Sequence, residues 1–202
     1  MILEDKNNFN KETIVLLKKF VESNQRKRLN LVKDIEKSFE EIYIIGAQIF
    51  DDFDQNSEDW ALGWILQVLK KHKPEFFNDT KNNRWFNTES SEEINYDSLQ
   101  LFLLEQKFED ADRLTSSYLR KLAGKSAESR GYVFFSEVKN MSSIDLATID
   151  KLWNIYSQGK FGFSVQAKLL KAVNKKYELL WPKIGWKKDG IWTRYPSSFF
   201  WS

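Results

Sequence analysis

Apolar residues recur every three or four positions along most of this 202-residue chain, and that spacing constrains its fold more than any other feature. Ile14, Leu17, Phe20 and Val21 mark one helical face. Leu31, Ile35, Phe39, Ile42 and Ile49 mark a longer one, and Trp60, Trp64 and Val68 continue the pattern. Ser57 and the acidic Glu58-Asp59 suit the start of that third helix. Farther on the stripes shorten. Leu99, Phe102 and Leu103 form one. Phe108, Ala111, Leu114, Tyr118 and Leu122 form the next, stopped by Gly124 as a C′ residue. Leu146, Ile149, Leu152, Trp153 and Tyr156 form a third, with Asp145 as N-cap and Gly159 ending it. Val165, Leu169, Ala172 and Val173 form a fourth, capped by Ser164. These stripes read as core rather than as binding faces. The fold class expected is all-α.

Between Phe77 and Asn95 the pattern lapses into FNDTKNNRWFNTESSEEIN, where Asn, Ser and Glu crowd together. A polar linker over about 78–95 divides an N-terminal helical domain, 1–93, from a second unit, 95–202. Each part is long enough for a hydrophobic core. With 42% apolar and 30% charged residues the chain has the composition of a globular protein. No run of 18 apolar residues is present, and the start MILEDKNNFNKE lacks the apolar core of a signal peptide and the Arg/Ser bias of a transit peptide.

The inventory of chemistry is thin. Zero Cys excludes disulfides, thiolate catalysis and iron–sulfur ligation. The one His, His72, lies in the basic run Lys70-Lys71-His72-Lys73 and reads as a solvated helix end. No metal-binding His pair, Ser–His–Asp set, dinucleotide fingerprint or P-loop is present. Glu40-Glu41, Asp51-Asp52 and Glu109-Asp110 read as solvated helix faces. The residues favour binding over catalysis, with no catalytic and no metal-ligating residue assigned.

The last quarter, Lys151 to Ser202, stands apart. Twelve of its 52 residues are aromatic, five of them Trp, and ten Lys or Arg face two acids, for a formal charge of +8. The remaining 150 residues carry −6. A basic, Trp-dense surface suits a flat, anionic ligand with apolar faces, either a nucleic-acid base or a conjugated macrocycle bearing carboxylates. In IGWKKDGIWTRYP, Asp189-Gly190 between apolar residues signals a hairpin, ended by Pro196. An aromatic loop with a small ribbon is expected here. Three readings remain open on these residues: a macrocycle binder, a basic aromatic nucleic-acid-binding module and a helical adaptor without a small ligand.

Three stretches are more specific: YDSLQLFLLEQKFEDADRLTSSYLRKLAG, FFSEVKNMSSIDLATIDKLWNIYSQGKFGFSVQAKLL and LWPKIGWKKDGIWTRYP. Through them, residues 96–202 resemble the genomes-uncoupled tetrapyrrole-binding family, regulators of magnesium chelatase in chlorophyll biosynthesis. The N-terminal part carries no motif of its own; cyanobacterial members have a separate helical bundle there.

The resemblance implies a cupped-hand helical domain with a long aromatic loop, binding protoporphyrin IX and its magnesium complex as ligands rather than as a prosthetic group. It implies a non-catalytic protein that stimulates magnesium chelatase through that enzyme's large porphyrin-binding subunit. The expected setting is the chloroplast stroma, or the cytoplasm of a cyanobacterium. A monomer is expected, with peripheral membrane association and without nucleic acid. The family's ligand-facing loop falls on Trp192, Arg194, Tyr195 and Phe199, with Tyr195 where the family commonly has Trp. Phe135 aligns with an aromatic of the cupped face. Phe161, Phe163 and Gln166 belong to the signature FGFSVQ, expected to set the turn into a helix and to pack the palm. Arg194 is the candidate partner of a propionate, with Lys160, Lys187 and Lys188 as further cations. Relatives continue past the position of Trp201 with a Gly-His-Leu-Pro loop and an arginine-bearing helix, so the second unit is expected to be truncated at its C-terminus.

Overall fold

The computed structural model of the chain describes residues 6–38, 41–42, 45, 59–72, 74–77 and 86–193. It divides into two compact units, residues 1–87 and 88–202. Both are helical; among the described residues the only sheet is a two-stranded ribbon.

In the first unit, α1 (Lys6–Glu22) packs on α2 (Gln25–Lys37) and on α3 (Trp60–His72), followed by a 3-10 turn at Pro74–Phe77. The expected faces supply the core: Leu17, Phe20, Ile35, Trp60, Trp64 and Val68 are buried. Phe20 meets the ring of Trp60 edge-on at 5.5 Å and that of Trp64 at 5.7 Å. Asn24 caps α2 by accepting from the Lys27 N–H at 3.1 Å. Asp59 accepts from the Ala61 N–H at 2.9 Å, as expected for the start of α3; Ser57, Glu58, Phe39 and Ile49 lie outside the described residues.

Arg28 ties this unit together. It is buried, and its guanidinium donates to Asp59 at 2.5 and 2.6 Å and to the Phe20 carbonyl at 2.9 Å, while lying 5.2 Å from the Trp60 ring. The charge is therefore matched by a carboxylate, a carbonyl and an aromatic face. Its position in the polar run QRKR conceals this role.

The second unit holds α4 (Asp97–Leu104), α5 (Phe108–Ala123), α6 (Lys125–Arg130), the single turn α7 (Phe135–Val138), α8 (Ser143–Tyr156), α9 (Phe163–Ala172) and α10 (Tyr177–Lys183). The ribbon β1 (Lys187–Lys188) and β2 (Ile191–Trp192) follows, pairing Lys187 with Trp192 and Lys188 with Ile191. Asp189 and Gly190, both at positive φ (51° and 81°), make the tight turn that Asp-Gly foretells. The core lies among α4, α5 and α8, where Leu99, Leu103, Ala111, Ile149, Leu152 and Tyr156 are buried. Its polar atoms are paired: Tyr156 Oη donates to Gln100 Oε1 at 2.9 Å, and Trp153 Nε1 to Thr115 Oγ1 at 3.0 Å.

Gly124 ends α5 as expected, at a positive φ of 104° with ψ 172°, and immediately opens α6. Other local expectations are revised. The N-cap of α8 is Ser142, accepting from the Asp145 N–H at 3.2 Å; Asp145 itself is fully buried inside the first turn. Ser164 lies within α9, whose N-cap is Gly162. The apolar stripe of α9 is not core either, since none of its residues is buried.

The polar stretch before α4 has a structural role. Ser90 Oγ donates to Asp145 Oδ1 at 2.5 Å, Ser91 N to Oδ2 at 3.1 Å and Ser91 Oγ to Oδ2 at 3.0 Å. Tyr96 Oη adds a bond to Oδ1 at 2.8 Å, and Thr148 Oγ1 donates to the Glu89 carbonyl at 2.7 Å. Residues 88–95, placed in a linker by composition, thus belong to the second unit. Burial opposes the charge on Asp145, but this ring of donors outweighs it and holds the carboxyl well below the usual carboxylate range. Tyr96 moves the other way, pushed far up first by burial and then by its bond to Asp145.

Candidate functional site

The loop from α6 to α7 is braced by a small charge network. Gly131 ends α6 in the left-handed region. Arg130 Nη2 donates to Glu137 Oε2 at 2.7 Å and to the Tyr132 carbonyl at 3.1 Å. The Phe134 N–H donates to the same Glu137 oxygen at 2.7 Å. That backbone bond, then the Arg130 bond, draw the Glu137 carboxyl below its ordinary value. The Arg130 guanidinium also sits 4.0 Å from the Phe134 ring centroid and 4.8 Å from that of Tyr132. A loop held this firmly presents the next side chain, Phe135, 95% exposed. Tyr132, Phe134 and Val138 are exposed beside it, and an apolar patch of this kind, unlike a single exposed ring, marks an interaction surface.

Phe135 stands at the mouth of an open groove of about 740 Å³. Val133, Val138 and Met141 continue its side of the wall. Leu119 of α5, then Leu146, Ala147 and Asp150 of α8, and Phe163 at the start of α9 line the remainder. The volume lies in the range of small-molecule sites, and among the described residues the wall is apolar but for Asp150.

The FGF signature shapes the far end. Gly162 has φ 136°, and a Cβ there would lie 2.6 Å from both Asn154 Nδ2 and Asp150 Oδ1. The missing side chain lets Asp150 Oδ1 accept the Ser164 N–H at 3.0 Å and the Asn154 amide at 3.1 Å. A residue of α8 therefore caps α9, a cap invisible to a local search for Ser or Asp. Phe161 and Phe163 leave this turn toward different places. Phe163 faces the groove. Phe161 packs against Phe108 at 5.5 Å and Trp153 at 6.0 Å. Both phenylalanines border a second cavity of about 380 Å³, together with Gln166, Lys160 and Trp186.

On the ribbon Trp192 is half-exposed and lies against Trp181, ring centroids 4.7 Å apart. The Lys187 ammonium sits 5.6 Å from the Trp192 ring and 6.0 Å from Trp181. Arg194, Tyr195 and Phe199 lie outside the described residues. The structure thus gathers Phe135 and Phe163 in one groove, sets half-buried Phe161 against Phe108 and Trp153 beside a second cavity, and places Trp192 on a separate aromatic cluster.

Most of the groove wall goes unrecognised in the sequence. Leu146 reads as core, yet with Ala147 and Asp150 it lies on the flank of α8 that the core does not use. The spacing i, i+1, i+4, left over once the buried face is assigned, is the signal that could have found it.

These features define an all-helical domain with an open apolar groove and a basic aromatic ribbon. The chain belongs to the GUN4-like family, which matches residues 89–202. It is 40% identical over 145 residues to the Ycf53-like protein of Synechocystis sp., covering 70% of this chain and 62% of that protein. It is 44% identical over 93 residues to the chloroplastic tetrapyrrole-binding protein of Arabidopsis thaliana, covering 46% of this chain and 35% of that one. The solved structure of GUN4 from Chlamydomonas reinhardtii has a TM-score of 0.55 at 34% identity, covering 57% of this chain and 76% of that chain. The chain spans from about a third to about three fifths of the length of the curated relatives it matches. Its relatives place it among plastid and cyanobacterial proteins, the setting that the resemblance implies.

Proposed function

We propose that the chain binds protoporphyrin IX and its magnesium complex in the groove beside Phe135, and that it acts as a non-catalytic regulator of magnesium chelatase. The observation that carries this reading is a fully presented phenyl ring over an apolar groove of about 740 Å³. Membership of a family that includes a tetrapyrrole-binding protein supports it. A porphyrin has two broad apolar faces, which Phe135, Leu119, Val138 and Phe163 can cover, and a propionate edge that seeks water or cations. The family resemblance adds Trp192, Arg194, Tyr195 and Phe199 as proposed ligand contacts, with Arg194 pairing with a propionate. An open groove covers part of the macrocycle and leaves an edge free, so the ligand is shielded and still presentable to the large chelatase subunit.

Phe135→Ala separates binding from folding. A side chain 95% exposed contributes little to stability, so urea denaturation should be unchanged within about 0.5 kcal/mol. Porphyrin affinity, followed by Soret absorbance and Trp emission, should fall by roughly 1–3 kcal/mol, about five- to 150-fold. Unaltered affinity would remove the groove from consideration. The regulatory step is read separately, from magnesium insertion by purified chelatase with and without the chain after porphyrin binding is established. Equal rates would refute stimulation.

A further inference from the structure

One carboxylate interrupts the apolar wall. Among the described residues that line the groove Asp150 is the one ionisable side chain, and its neighbours there, Leu119, Val133, Val138, Met141 and Leu146, offer no hydrogen-bond donor in their side chains. The carboxylate is also held in place. Its Oδ1 takes the Ser164 N–H at 3.0 Å and the Asn154 amide at 3.1 Å, and Gly162 packs so closely that a Cβ would stand 2.6 Å from it. A surface aspartate can turn aside when an anion approaches. This one cannot do so without uncapping α9.

We propose that Asp150 is a specificity-determining residue: it admits tetrapyrroles with a carboxylate-free edge and rejects those carrying carboxylates around the whole ring. The proposal rests on the porphyrin reading above. The edge that enters the groove exchanges water for apolar side chains. Methyl and vinyl groups gain from that exchange, whereas a propionate loses hydration and meets a fixed like charge. A dicarboxylate macrocycle avoids both costs by entering with its propionates outward. A tetracarboxylate macrocycle has no such orientation. The same carboxylate therefore caps a helix and orients the ligand.

The test compares deuteroporphyrin, with two propionates on one edge, and coproporphyrin, with four around the ring. Both are titrated as monomers into the full chain, wild type and Asp150→Asn. The amide retains an oxygen for the Ser164 N–H and removes the charge. Wild type should prefer deuteroporphyrin, and Asp150→Asn should narrow that preference roughly ten-fold, chiefly through tighter coproporphyrin binding. Ala147→Asp adds a second charge to the same wall without touching the cap, so it remains informative if Asp150→Asn fails to fold. It should widen the preference. If wild type binds deuteroporphyrin and the ratio moves in neither variant, Asp150 has no part in selection and the groove reading survives. If wild type binds neither porphyrin, both ideas fail.

Discussion

At Gly162 a hydrogen atom in place of a side chain lets one helix cap another. Two polar atoms of α8 stand 2.6 Å from where its Cβ would be, and φ is 136°. Gly162→Ala must push Asn154 and Asp150 aside, lose the Asp150 bond to Ser164, or both. The expected cost is about 2–4 kcal/mol in chemical denaturation, more than backbone strain alone supplies. A loss below about 1 kcal/mol would mean that the turn relaxes freely. Arg28 and Asp145 follow the same logic: each is buried, and each is tolerated because carbonyls, carboxylates or hydroxyls surround it.

Among the elements, the segment before α4 is secured to α8 by the Asp145 carboxylate. The folded state holds this carboxyl below its unfolded value of about 4. Its stabilising contribution is therefore complete above that value and is lost as pH falls toward the folded one. Amides of residues 90–94 should keep their hydrogen-exchange protection from pH 7 to about pH 5, then lose it progressively in more acid solution. Asp145→Asn should weaken protection at pH 7 and flatten the acid dependence. An acid profile identical in the two proteins would assign the loss to other carboxylates. Near the C-terminus the ribbon adds a second kind of order. Thr193 N donates to the Trp186 carbonyl at 3.0 Å and Thr193 Oγ1 to the Gly185 carbonyl at 2.9 Å, so the pairing extends past the strands.

For the whole molecule, the division into residues 1–87 and 88–202 predicts where the chain can be cut. A fragment 88–202 should fold alone. One beginning at residue 96 loses Ser90 and Ser91 and leaves Asp145 with fewer donors in a buried site. It should be less stable by about 2–4 kcal/mol, measured by urea denaturation. Equal stability would show that the segment contributes nothing to the second unit.

The helical period was legible because burial repeats along a helix every 3.6 residues whatever its partner, so Leu17, Phe20, Ile149 and Tyr156 could be placed in a core from spacing alone. The Asp189-Gly190 turn was legible because its backbone angles select those residues locally. The family was legible in three contiguous stretches. What lay beyond reach depends on partners distant in sequence. Ser90 and Ser91 look like solvated linker until Asp145, more than fifty residues on, is brought beside them. Ser164 looks like a cap until Asp150 takes its N–H. Leu146 looks like core because a groove wall and a buried face use the same apolar residues at the same spacing. Local periodicity and turn chemistry act within a few residues and are written in the sequence; which apolar face remains uncovered is settled only when all the helices have packed.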